Sequence, residues 1–394
     1  MDGLIRRNTL IALFSILPVW PAFAESNPEF DQYNIYFGNL HSHTSFSDGS
    51  GTPDQAFHYA EEKGHLDFMA ITEHNHTNNI FPKDPKGGKI IGNEPSLYVT
   101  LIDTAKNDSE EAEFIALFGQ EFSSISKGNH LNIFGVKEVV NDHVIENGDY
   151  KDLYEKWLPD HPEVQFIQFN HPWNGDRAID YGLGNYHGSY KKLRDATAKY
   201  VRTFEVINGP GLSDGVHRAK LEGEEHYRHY LTHGFKIAAV ADQDNHKRTW
   251  GTLTDARTGV LSPNLSRDDL LKAIQARRCF ATTDKNLRVW YALNTSMMGS
   301  DAKTDSRKLK VSYKLEDLDE SGAEYDLFLV YGSTQMSGST VQKKIETFNG
   351  DHSGNFEFVT QFSKTFVYLK FVQWPRFSSK KDSVLTAPVW VTLQ

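Results

Sequence analysis

Hydrophobic and polar positions along this chain fall into two regimes. Up to about residue 284, short unbroken apolar runs alternate with segments of helical character. The runs YNIYFGNL, DFMAIT, FIALFG, LNIFGV, VQFIQF, TFEVIN and KIAAVA are strand candidates. Continuous apolar character suits strands covered on both faces of a parallel sheet. The segment Thr52 to Lys63 opens TPDQ and is stopped by Gly64. That supplies a capping threonine, proline at the first helical position and glutamine three residues after the cap. Further helices are predicted near 149–158, 187–200, 214–233 and 266–278. The alternation argues for an α/β barrel or an open α/β sheet. Beyond residue 284 the runs LRVWYAL, KLKVSYKL, YDLFLVYG, VQKKIETF, NFEFVTQF, TFVYLKFVQW and APVWVTL follow one another. Turn residues separate them and many alternate apolar with polar, which predicts a small all-β sandwich over 285–394. Trp290, Tyr291, Tyr313, Phe328, Tyr331, Tyr368 and Trp374 are its expected core.

Composition narrows the function classes. The chain of 394 residues carries 52 acidic and 42 basic side chains, a formal net charge of −10, which argues against a protein held to nucleic acid by phosphate contacts. Residues 1–24 read as a secretory signal peptide: Arg6 and Arg7, the apolar stretch LIALFSIL, then Ala22-Phe23-Ala24 as a cleavage site. That apolar run is too short to span a bilayer. The expectation is a periplasmic or secreted protein released near Ala24, with no stable membrane anchor. One cysteine, Cys279, excludes an intramolecular disulfide framework and any zinc site built on several thiolates.

Histidines mark where the chemistry lies. Sixteen of the seventeen fall between His41 and His246. His41 and His43 follow directly on the first strand candidate, and residues two apart in an extended chain face the same way. Asp48 follows in SFSDG. The pattern then recurs. MAITEHNH places Glu73, His74 and His76 after the second strand, and ALFGQEFS places Glu121 after the third. GNHLNIF sets His130 at the start of the fourth. FIQFNHPW places His171, and VADQDNH places Asp242, Asp244 and His246, after later strands. Independent apolar runs that end in His, Asp or Glu point to a metal centre at one end of a sheet.

The ordered motifs HSHTSFSDG, ITEHN, GQE, HLNIFG, NHP and DNH resemble those of the PHP (polymerase and histidinol phosphatase) metallohydrolases. The segment from WGTLTDARTG to RRCFATTDKN is similar to the CehA/McbA branch. The resemblance covers roughly residues 35–285. It implies a distorted (β/α)7 barrel, over 30–284 of this chain, with up to three divalent metals (Zn, Mn or Fe) at the strand C-terminal ends. It further implies that His41, His43 and Asp244 hold the first metal and that Glu121 bridges two metals. His130 and His171 would complete the second, and Asp48, His74 and His246 the third. Departures are Glu73-His74, where the pattern has Asp-His, and DQDNH, which leaves Asp242 a rival to Asp244. Glu205 in FEVING is a candidate for direct ligation or for a hydrogen bond to a liganding histidine. His76 is read as a cleft-facing acid or a solvated residue. Arg177, Lys247 and Arg248 are read as clamps for an anionic group or as solvated basic residues. Two cations sharing Glu121 would hold a water and supply hydroxide near neutral pH. The expected activity is therefore hydrolysis of a small-molecule phosphate mono- or diester. Carbamate or amide hydrolysis, a phospholipase C-like activity and non-catalytic metal binding are the alternatives. The sequence leaves the oligomeric state open.

Overall fold

The computed structural model describes residues 30–75, 90–122, 130–140, 150–172, 189–213, 215, 221–320, 322–374 and 381–394. The signal segment 1–24, His76 and Arg177 lie outside the described residues.

The chain is a mixed α/β protein with one large sheet. Seven strands lie side by side in chain order: β1 (Asn34–Asn39), β2 (Phe68–His74), β3 (Ile115–Phe122), β4 (Leu131–Phe134), β5 (Phe166–Phe169), β6 (Val201–Asn208) and β7 (Ala238–Asp242). Residues of β2, β4, β5 and β7 are buried throughout, as their largely apolar spelling predicts. A Cβ on Gly38 would sit 2.2 Å from Phe68 O, so the close approach of β1 and β2 demands glycine there.

The sheet is not wholly parallel, and this corrects the sequence expectation. β1, β2 and β3 are parallel, as are β5, β6 and β7, but β4 runs antiparallel to both its neighbours. Apolar content reports two-sided burial, not direction, so the short run Leu131–Phe134 could not reveal the reversal. The reversal positions the site. The start of β4 lies beside the C-terminal ends of the other strands, which is why His130 precedes its strand while the other candidates follow theirs.

The first and last of these strands come together at the same end. Ser42 and Asn245 form a parallel bridge. The amide of His43 donates to Asn245 O at 2.9 Å, and that of Asp244 donates to His41 O at 2.9 Å. Two strands that the sequence reading left out of its strand list lie on the far side of β1. These are β8 (Arg257–Ser262), antiparallel to β1, and β9 (Cys279–Thr282), antiparallel to β8. Thr258 Oγ1 on β8 bonds the amide and carbonyl of Ala241 at 3.0 and 2.9 Å. Residues some 200 positions apart are thereby held at one rim.

Helices cover the sheet. Pro53–Glu62 carries the expected capping box, Thr52 Oγ1 accepting from Gln55 N at 3.3 Å and Gln55 Oε1 accepting from Thr52 N at 3.2 Å. Ser96–Asn107 was not foreseen. It starts at Pro95 without a side-chain cap and includes the β-branched Val99, Thr100, Ile102 and Thr104, so local propensity is weak. Tertiary burial of Tyr98, Leu101 and Ala105 against Phe57 and Ala60 stabilises it instead. The helix expected over 214–233 is described only as Glu224–Thr232.

Among the described residues that follow, the regular elements are strands: β10 (Arg288–Leu293), β11 (Ser296–Met297), β12 (Asp301–Thr304), β13 (Lys308–Glu316), β14 (Glu324–Ser333), β15 (Thr340–Asn349), β16 (His352–Val359), β17 (Lys364–Trp374), β18 (Ser383–Thr386) and β19 (Val389–Leu393). A separate four-stranded sheet runs β11-β10-β13-β16. The others join the large sheet through the antiparallel pairing of β18 with β9. Trp290, Tyr291, Tyr313 and Tyr368 are buried in the core as expected. Phe328 and Tyr331 are only partly buried and Trp374 is exposed, its ring covered by the Lys381 ammonium. Cys279 is buried and unpaired.

Candidate metal centre

The rim where β1 and β7 meet gathers imidazoles and carboxylates. His41 and His43, on the extended segment after β1, point the same way, with their Nε2 atoms 3.2 Å apart. Asp244 Oδ1 faces both, at 3.3 Å from His41 Nε2 and 3.2 Å from His43 Nε2. Glu121, near the end of β3, lies at the middle. Its Oε1 is 3.3 Å from His41 Nε2, 2.9 Å from His130 Nδ1 and 3.4 Å from His171 Nε2. Its Oε2 is 3.3 Å from His43 Nε2 and 2.9 Å from His74 Nδ1. Asp48 Oδ1 lies 3.2 Å from His246 Nε2 and 3.8 Å from His74 Nε2.

These side chains form three overlapping groups able to hold a cation: His41, His43, Glu121 and Asp244; His74, Glu121 and His130; and His43, Asp48, His74 and His246. His171 borders the first two groups through Glu121. A neutral imidazole offers one lone pair, so His43 and His74 each serve one group at a time. Every donor is a nitrogen or oxygen, which suits Zn, Mn or Fe(II). A further observation fits bound cations. Glu121 Oε2 is buried without a hydrogen-bond partner among the described residues. Lone pairs aimed at one another in a buried space are costly unless a cation or proton sits between them.

Without such cations the protonation states carry the load. Burial opposes the charged form of His41, but the carboxylates of Glu121, Asp244 and Glu205 outweigh it and hold its pKa well above the usual value. Burial likewise opposes charge on His246, yet the Asp48 hydrogen bond and Asp244 push it up to about 9. Glu121 and Asp244 are held well below the carboxylate range, the surrounding imidazoles overcoming burial.

Supporting groups fix the cage. Glu205 Oε1 lies 2.7 Å from His41 Nδ1, and its Oε2 accepts the His171 amide at 2.6 Å. An ionised carboxylate only accepts, so Glu205 holds the His41 proton on Nδ1 and turns the Nε2 lone pair to the cage. Glu205 thus takes the hydrogen-bonding role rather than direct ligation. Replacing Glu205 with Gln is expected to weaken metal affinity about 10–100-fold with the fold intact, read by competition against a chromogenic chelator. Unchanged affinity would remove Glu205 from the account. Asp242 and Asp244 face different ways. Asp242 accepts from Leu40 N at 2.6 Å and Gln168 Nε2 at 2.9 Å, tying β7 to β1 and β5. Burial and neighbouring Glu205 push its pKa up to about 7. Glu73 turns away from the cations' position and binds the Thr44 amide at 3.0 Å and the Thr44 and Ser47 hydroxyls, securing the turn before Asp48. Burial raises its pKa to about 7.

Asp244 and His171 occupy left-handed backbone, with φ of +49° and +26°. Such conformations are uncommon outside glycine and cluster at functional sites. The Trp250 indole N–H donates to His43 O at 3.2 Å. Arg248 is exposed and lies over Gly51, near the same loop. Sequence reasoning missed Asn132 and Asn170. Asn170 Nδ2 donates to Glu121 Oε1 at 3.0 Å and to Asn132 Oδ1 at 2.8 Å. A signal existed for Asn132: it stands two residues after His130 and so shares its face in an extended chain.

No family model matches the chain. It is similar to a protein of Chlamydia trachomatis described only as uncharacterised, 22% identical over 318 residues, which takes in 76% of this chain and 46% of the relative. A Chlamydia muridarum protein with the same description is 21% identical over 331 residues, with the same shares. The chain therefore spans about half the length of the curated relatives it matches. Among solved structures, it is similar to a Bacteroides vulgatus two-domain protein described as containing a predicted PHP-like metal-dependent phosphoesterase. The identity is 16% and the TM-score 0.49, over 87% of this chain and 91% of that one.

Proposed function

We propose that the chain is a metal-dependent hydrolase of the PHP type, and that it cleaves phosphate mono- or diesters of small molecules. On this reading β1 to β7 are the strands of a distorted barrel over 30–284, residues 285–394 form a sandwich domain, and residues 1–24 direct the protein out of the cytoplasm. The observation that carries it is Glu121: a buried carboxylate faced by five imidazoles from four separate segments, with one oxygen lacking a hydrogen-bond partner among the described residues.

Divalent ions bound there would lower the pKa of a water and offset charge on phosphoryl oxygens. The chain's own residues do the rest. Glu121 supplies negative charge shared between two groups of donors. Glu205 orients His41, and Asp242 locks the strand ends so that His41 and Asp244 stay in register. Asp48, about one-third exposed, marks where the cage opens to solvent. Arg248, exposed and close to Gly51 three residues after Asp48, is available to meet an anionic substrate.

The test is turnover of phosphomonoesters and phosphodiesters by protein loaded in turn with Mn, Zn and Fe(II). Metal-dependent release of phosphate or alcohol is expected. Hydrolysis of aryl carbamates or anilides without phosphoester turnover would reassign the substrate. A metal-replete protein inert toward all of them would favour a binding role.

A further inference from the structure

Three side-chain amides with 0% exposure lie beside the cage: Asn132 on β4, Gln168 on β5 and Asn170 just after it. Asn132 stands opposite Gln168 in the β4–β5 ladder, and the backbone amide of Asn170 donates to His130 O at 3.1 Å. Gln168 and Asn170 are two apart in an extended segment and so face the same way. The alternate residues Leu131, Ile133, Ile167 and Phe169 belong to the hydrophobic core.

Buried amides are costly unless their groups are bonded, and these form one connected relay. Thr203 Oγ1 donates to Gln168 Oε1 at 3.1 Å. Gln168 Nε2 donates to Asp242 Oδ2 at 2.9 Å and to Asn170 Oδ1 at 3.3 Å. Asn170 Nδ2 donates to Asn132 Oδ1 at 2.8 Å and to Glu121 Oε1 at 3.0 Å. Asn132 Nδ2 ends the relay on Leu40 O at 3.0 Å. An amide nitrogen carries two hydrogens, so both of those on Asn170 are spent, one of them on Glu121. An ionised carboxylate only accepts, which fixes the Asn170 amide with its nitrogen toward Glu121.

That bond falls on one oxygen of Glu121 only. Oε1, which receives it, faces His41, His130 and His171. Oε2 faces His43 and His74 and has no hydrogen-bond partner among the described residues. The last torsion of a glutamate side chain is soft. A freely turning carboxylate could give both oxygens to one cation and leave the other group of donors without its negative charge. The Asn170 bond opposes that turn.

We propose that Asn170 is a positioning residue that holds the Glu121 carboxylate where it serves two groups of metal donors at once, so that the chain binds a pair of ions and not one. The proposal rests on the metal-dependent reading above.

The test is Mn2+ binding to the full chain, followed by electron paramagnetic resonance, in the parent, Asn170→Ala and Asn132→Ala. The two variants delete the same side chain from neighbouring segments, but only the first removes the bond to Glu121. The parent and Asn132→Ala are expected to bind two Mn2+ ions with the exchange-coupled spectrum of metals that share a carboxylate. Asn170→Ala is expected to bind the second ion about 10–100-fold more weakly and to give the spectrum of isolated Mn2+. Asn170→Ser keeps a polar group beside Gln168 but is too short to reach Glu121. It should behave as Asn170→Ala and replaces it if the alanine variant does not fold. A coupled pair in a folded Asn170 variant would overturn the proposal. Loss of the pair in both Asn132→Ala and Asn170→Ala would also overturn it, by assigning the effect to the packing of β4 on β5. A parent protein that binds no Mn2+ would overturn the metal-dependent reading itself, and the proposal with it.

Discussion

Changing Glu121 to Gln is expected to empty the cage and reduce hydrolysis on the order of 10³-fold or more. The substitution keeps the shape and removes the charge. Glu121 Oε1 and Oε2 face His41, His43, His74, His130 and His171 at 2.9–3.4 Å. An amide there would present either an NH2 group to lone pairs that should meet a cation or a neutral oxygen in place of a shared negative charge. Metal content per chain should fall with activity, while circular dichroism and the hydrophobic core stay as they were. Full metal content with wild-type turnover would show that Glu121 plays no part.

Removing the metals is expected to cost stability in a way that grows with pH. In the metal-free chain His246 has its pKa raised from 6.5 to about 9, and His41 is raised well above its usual value. A histidine raised in the folded state contributes stability that is fully present below about pH 6.5 and lost as pH rises through the folded value, about 9 for His246. The chelated protein should therefore lose stability between those limits. Metal binding needs deprotonated imidazoles, so the loaded protein gains over the same range. The two curves diverge: the gap is small near pH 6 and reaches about 3–4 kcal/mol near pH 8.5 at metal concentrations of 100–1,000 Kd. Thermal or urea unfolding with and without chelator, at pH 6, 7 and 8.5, measures it. A gap independent of pH would mean that the histidines are not what the metals displace protons from.

Much of this arrangement was legible in the sequence because two periodicities point one way. Unbroken apolar runs located the seven strands of the rim, and histidines or carboxylates next to those runs located the cage. His41 and His43 are the clearest case, since spacing alone aligns them. What could not be read depends on contacts between distant residues. The reversal of β4 follows from pairing with β3 and β5, which its four residues alone do not encode. Asp242 and Asp244 have the same side chain two positions apart, and only the hydrogen bonds of Asp242 to Leu40 and Gln168 separate their roles. The helix Ser96–Asn107 has little local preference to announce it and exists through its packing. Glu73 follows its strand as the ligand candidates do, but it is occupied by the Thr44–Ser47 turn.

The central claim is that His41, His43, Glu121 and Asp244 hold a divalent ion in common. Anomalous diffraction at the Mn or Zn edge, from crystals of the metal-loaded protein, locates such ions directly. The account predicts at least two peaks within bonding distance of Glu121, one of them shared with His41, His43 and Asp244. A metal-loaded crystal with no anomalous peak beside Glu121 would contradict it.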